Sequence, residues 1–255
     1  MVGADLANLA NEAALRAARN GHDRVHMADF TESLEKVILG APRSITLSRA
    51  DRERTACHES GHALVGMLTP EADPVREVTI IPRGAALGVT LSTPDADRVS
   101  YSLPELEAQI KVALGGRVAE EVIYGTVTTG AESDIQHLTQ IARQMVGRWG
   151  MSDKLGPVAV LPSDGNGPLL PGADGTSPET QWIVDQEVQR LVGSAHAQVT
   201  ALLSEHRHEL ERLSHALLEA ETLTAADAYA AAGVPTRPAG ADAGAQPLAG
   251  ASAAV

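Results

Sequence analysis

Residues 48–68 read SRADRERTACHESGHALVGML, and the rest of the chain is best understood outward from this segment. Ser48 followed three residues later by Asp51 has the spacing of a capping box, and Thr69-Pro70 supplies a stop, so a helix is expected from about Ser48 to Leu68. Inside it lies His58-Glu59-Ser60-Gly61-His62. Residues four apart share a helical face, so both imidazoles can reach one metal ion, while Glu59, rotated to one side, can take a proton from water activated there. That is the minimal kit for metal-assisted peptide hydrolysis. His208-Glu209 offers a contrast within the same chain: Arg212 stands where a second histidine would be needed, so that pair reads as a solvated helix face.

A catalytic zinc site uses three protein ligands and leaves a fourth position open, so a third group must come from elsewhere. The other histidines fall in segments that read as exposed helix or turn. Asp134 is unusual among the carboxylates: it opens a helix whose apolar stripe, Leu138, Ile141 and Met145, follows it at i+4, i+7 and i+11. Its side chain is therefore expected to face the interior, where an unpaired charge is costly. A metal would satisfy it; an N-terminal cap or a helix-dipole contact is the plainer alternative. Glu120 and Glu121 are the next candidates as ligands.

Around this centre the chain reads as mainly helical. Two short helices come first, one through Leu6, Leu9, Ala13 and Ala17 to Asn20-Gly21, the other through Phe30, Leu34, Val37 and Ile38 to Gly40, with Pro42 marking a boundary. Val78-Thr79-Ile80-Ile81 and Leu87-Gly88-Val89-Thr90-Leu91 flank Pro82-Arg83-Gly84 and predict a hairpin or small sheet. Ser102-Leu103-Pro104-Glu105 opens a helix that stops at Gly125, and a further helix carries Ile135 to Trp149. Residues 156–178 are expected to form a long surface loop. Two more helices follow, from about Gln181 and through Leu210 to Leu218, and the Ala, Gly and Pro of residues 231–255 predict a disordered tail.

The 255 residues carry a net charge of -13, which argues against a grip on nucleic-acid phosphates or anionic lipid. Six aromatic residues are too few for base-stacking platforms. A single cysteine, Cys57, excludes an internal disulfide and fits a reducing, cytoplasmic compartment. It reads as a small packing residue more than as a competitor for the metal. No apolar run is long enough to span a bilayer.

Several blocks together resemble a known family. Asp51 to His62, Val78 to Gly84, Leu87 to Thr90, Leu114 to Glu121, Thr129 to Ile135, Leu155-Gly156-Pro157, Asp185 to Val188 and Glu221-Thr222-Leu223 are similar, in order, to the peptidase part of the FtsH-type ATP-dependent zinc metalloproteases. Gly3 to Leu9 and Asn11 to Leu15 resemble the helical lid that ends that family's AAA+ ATPase module. The resemblance implies a mainly α-helical zinc metallopeptidase domain with a small β-sheet over 42–230, preceded by a partial AAA+ lid over 1–41. It implies that His58, His62 and Asp134 bind one Zn2+, that Glu59 is catalytic, and that the strand at Leu87, Gly88, Val89 and Thr90 receives an extended substrate. It further implies unfolded or membrane-associated polypeptide substrates, a homo-hexamer or association with an ATPase-bearing protease, and membrane contact only through segments outside this chain. The chain has no G-x-x-x-x-G-K-[ST] phosphate loop, so ATP enters only through a complete AAA+ module, and the chain is expected to be a fragment or a stand-alone relative. Two rival readings are a helical scaffold module without turnover and an autonomous, ATP-independent metalloprotease.

Overall fold

The computed structural model describes residues 2–40, 47–83, 86–94, 98–161 and 176–236. The chain order is α1 (Gly3–Arg19), α2 (Met27–Leu39), α3 (Arg49–Leu68), β1 (Val75–Thr79), β2 (Val89–Ser92), α4 (Leu103–Tyr124), a 3-10 turn (Thr129–Ala131), α5 (Glu132–Gly147), α6 (Pro178–Glu205), α7 (Arg207–Ala220), β3 (Thr222–Thr224) and α8 (Ala225–Ala232). Among the described residues the protein is mainly helical, with one small antiparallel sheet.

Helix boundaries follow local chemistry. Ser48 Oγ accepts the Asp51 amide and donates to the Asp51 carboxylate, so α3 starts where the capping residues place it. Glu105 Oε2 accepts both the amide and the hydroxyl of Ser102 at the head of α4, and Gly125, at φ +66°, ends that helix in the left-handed conformation that favours glycine. α1 and α2 pack on each other through Ala13 and Ala17, with Asp29 accepting the His26 amide at 2.9 Å at the start of α2.

The core gathers around α3. From Ala56 to Met67 all but one of its residues are buried, because α4, α7 and β1 all pack against it. The crossing with α4 is set by glycine: a Cβ on Gly61 would lie 2.3 Å from the Gly115 carbonyl oxygen, and one on Gly115 would lie 2.6 Å from the Gly61 oxygen. Both obstacles are backbone, which no rotamer change can move. A Gly115→Ala chain is expected to lose about 1–3 kcal/mol, the usual cost of overpacking, read as a lower urea midpoint with the slope unchanged.

The sheet has the order β2-β1-β3. Val78 pairs with Thr90 on one side and with Leu223 on the other, which leaves β2 at an edge. The strand expected over Val78 to Ile81 lies earlier, at Val75–Thr79, and the one expected from Leu87 begins at Val89. β3 and α8 were not expected from the sequence. Their large apolar residues are few, but Leu223, Tyr229 and Ala232 are buried in the common core, and helix continues two residues beyond the expected domain end at 230. Residues 237–255 of the expected tail, and 162–175 of the expected loop, lie outside the described residues.

The segment after α5 is tied to α6 through Glu187, whose side chain is 1% exposed. It accepts from Ser152 Oγ at 3.1 Å and pairs with Lys154 at 2.9 Å and Arg190 at 3.1 Å. The Arg190 guanidinium, aided by Lys154 and Ser152 against the opposing effect of burial, holds this carboxyl down to about 2. A depressed folded value stabilises the fold above glutamate's ordinary 4.5, and that contribution is lost as pH falls toward 2. Unfolding midpoints of parent and Glu187→Gln should therefore differ at neutral pH and converge between pH 4.5 and 2.

Candidate metal centre

His58 and His62 project from α3 toward the N-terminal turn of α5, which delivers Asp134. His58 Nε2 and His62 Nε2 are 3.1 Å apart, and Asp134 Oδ2 lies 3.3 Å from the first and 3.5 Å from the second. The other ring nitrogens are already committed. His58 Nδ1 donates to Glu120 Oε1 at 2.9 Å, and His62 Nδ1 donates to the Val112 carbonyl at 2.7 Å. Each imidazole is thereby held in the tautomer whose Nε2 lone pair faces the centre.

With both rings neutral, three electron-pair donors converge, and either a proton on His58 Nε2 directed at Asp134 or a bound cation satisfies them. Burial alone would disfavour a proton on His58, but the Asp134 and Glu120 carboxylates outweigh it and raise its pKa to about 10. Asp134 is driven the other way: burial raises it, and the two histidines more than reverse this and lower it. The spacing also fits zinc, since bonds of roughly 2.0–2.1 Å imply ligand separations of about 3.4 Å at a tetrahedral ion. Two imidazoles and one carboxylate are a donor set that zinc accepts.

The surroundings hold these ligands. A Cβ on Gly116 would lie 2.5 Å from His58 Nε2, so only glycine lets the imidazole sit against α4. Glu120 is 2% exposed and also accepts from Arg54 at 2.9 Å and Thr128 Oγ1 at 3.1 Å. It thus supports His58 from the ring's far side and is not placed to share a metal with Nε2, unlike the runner-up role suggested for it by sequence. Glu121 is turned away to His196 at 3.1 Å. Cys57 is buried, which pushes its thiol up to about 12, and it is not in the ligand cluster.

Glu59 lies beside the cluster in the same cleft, about 1040 Å³ in volume. Burial raises its pKa, with His62, His58 and the Thr90 hydroxyl partly offsetting that rise. A carboxylate so shifted is better suited to taking a proton than an exposed one. Leu87, Gly88, Val89 and Thr90 line the same cleft. His137, one turn after Asp134, also lines it, although the sequence offered no signal beyond its i+3 spacing. Among the described residues a second group with metal-binding composition, His22, His26 and Asp29, occurs at the α1–α2 junction. There the Asp29 carboxylate is taken up by the His26 amide and by His22 Nδ1 at 3.0 Å.

Residues 45–230 match peptidase family M41, and residues 1–32 match the AAA+ lid domain. The chain is 66% identical over 234 residues to "ATP-dependent zinc metalloprotease FtsH 3" of Conexibacter woesei, covering 92% of this chain and 31% of that protein. It is 52% identical over 227 residues to "ATP-dependent zinc metalloprotease FtsH" of Thermobaculum terrenum, covering 88% of this chain and 35% of the relative. With the protein of the same name from Syntrophus aciditrophicus the identity is 46% over 254 residues, 96% of this chain and 34% of the relative. The chain thus spans about a third of the length of these relatives. The match to the family covers most of the sequence and contains the whole His58, His62, Asp134 and Glu59 cluster, and on that ground the chain belongs to peptidase family M41.

Proposed function

We propose that the chain is the zinc-dependent endopeptidase part of an ATP-driven protease. His58, His62 and Asp134 hold one zinc ion, and Glu59 is the general base. The observation that carries this reading is the convergence of His58 Nε2, His62 Nε2 and Asp134 Oδ2 beside a buried carboxylate in one open cleft. When bound, zinc supplies Lewis acidity that polarises a water and a peptide carbonyl. Glu59 takes the proton of the water as it attacks the carbonyl carbon, and delivers it to the nitrogen of the leaving amine. Asp134 and the two imidazoles fix the centre, while Glu120 and the Val112 carbonyl keep the imidazoles aimed.

An extended polypeptide adds along the outer edge of β2, where main-chain pairing gives affinity without demanding one sequence. Val89 and Thr90 belong to that edge and Leu87 and Gly88 lead into it. Substrates of this kind are unfolded or membrane-associated polypeptides. The match of residues 1–32 to the AAA+ lid, and the words "ATP-dependent" in the names of the relatives, support coupling to an ATPase, and assembly as a hexamer is part of the same proposal. The single cysteine supports a cytoplasmic setting. No helix among the described residues is long and apolar enough to cross a membrane. The reading is tested by zinc content and cleavage of an unstructured polypeptide; one zinc per chain with Glu59-dependent cleavage is expected, and a folded chain that binds no zinc and cleaves nothing would favour the scaffold alternative.

A further inference from the structure

The edge strand does more at this site than present backbone. Gly88 and Thr90 are two residues apart, the spacing that puts both on one face of an extended chain, and that face looks onto Glu59. A Cβ on Gly88 would come 2.7 Å from both Cγ and Oε1 of Glu59. The Thr90 hydroxyl lies 2.9 Å from Glu59 Oε2 and 3.0 Å from the Glu59 carbonyl oxygen. Among the described residues it is the one side-chain donor to that carboxylate. The carboxylate is thus confined by the bare backbone of one residue and held by the hydroxyl of another. A buried glutamate has two side-chain torsions free to carry its carboxylate away from the cleft, so an anchor at Oε2 decides where the base stands.

We propose that Thr90 is a positioning residue for Glu59, fixing the orientation of the general base, with Gly88 supplying the space in which that orientation fits. The inference rests on the peptidase reading above. It also links the two functions of β2: the strand whose outer edge is offered to the substrate holds the base on its inner face, so a shift of β2 moves both together.

The test compares zinc-loaded parent, Thr90→Val and Thr90→Ser. Valine keeps the branched shape and the strand preference but donates nothing, whereas serine keeps the hydroxyl and drops a methyl. Cleavage of a fluorescently labelled unstructured polypeptide should show kcat of Thr90→Val lower by roughly tenfold, a magnitude typical of groups that orient a reacting residue, with KM and zinc content unchanged. Thr90→Ser should recover most of the loss. Crystal structures should show the Glu59 carboxylate on the residue-90 hydroxyl in parent and Thr90→Ser, and turned away in Thr90→Val. Parental kcat in Thr90→Val, or equal impairment of both variants, would overturn the assignment. Should the valine variant fail to fold, Thr90→Ala takes its place. Should the parent cleave nothing, the peptidase reading fails, and the crystal structures still decide the positioning claim: an unchanged carboxylate without the hydroxyl overturns it.

Discussion

A Glu59→Gln chain is expected to bind zinc as the parent does and to cleave an unstructured polypeptide about 10²–10⁴-fold more slowly, the range of a lost general base. The amide has the carboxylate's shape and its oxygen still accepts from the Thr90 hydroxyl, so the packing of α3 against β2 is kept. It cannot take up a proton. His58, His62 and Asp134 are untouched, and a loss confined to kcat at full zinc occupancy would locate the defect in proton transfer. Cleavage that persists at the parental rate in a fully zinc-loaded variant would remove Glu59 from the mechanism.

The second large effect is expected at Asp134. In an Asp134→Ala chain the two imidazoles, 3.1 Å apart at Nε2 in the parent, remain, but the third donor is gone and the two carboxylates of α4 that the sequence offered as alternatives are engaged elsewhere. Glu120 is engaged on the far side of His58 and Glu121 is paired with His196. Zinc affinity should fall by more than about 100-fold, above the range for groups that merely hold a ligand in place. If Asp134 served α5 only as a helix-terminal charge, the variant would lose about 0.3–1 kcal/mol of stability and keep its zinc. Competition with a chromogenic chelator separates the two outcomes.

The parts of this protein that were legible in its sequence are those decided by neighbours along the chain. Ser48 with Asp51, Ser102 with Glu105, and Gly125 mark helix ends through contacts three or four residues long, and the helices begin and end close to where those residues place them. His58 and His62 were readable because helical spacing alone puts them on one face. Asp134 was readable because an acidic residue at the head of an apolar stripe raises the question of its partner. What escaped is what only the folded chain brings together. Thr222 to Ala232 carry little apolar pattern, and they become a strand and a helix because β1 offers an edge and α7 a surface. Gly61, Gly115 and Gly116 look like ordinary helix-weakening glycines, yet they let two helices touch backbone to backbone and let an imidazole lie against α4. Glu120 and Glu121 are equivalent as sequence. A rotation of one residue about the α4 axis sends the first to His58 and Arg54 and the second outward to His196. The anchor of Glu59 on Thr90 spans 31 residues and two elements, and no local pattern announces it.

The central claim is that one zinc ion sits among His58, His62 and Asp134, and anomalous diffraction at the zinc edge from crystals of the zinc-loaded chain tests it most directly. The arrangement of donors predicts a single strong peak within bonding distance of His58 Nε2, His62 Nε2 and Asp134 Oδ2. A peak instead at His22, His26 and Asp29, or none at the α3–α5 cleft with zinc in excess, would contradict it.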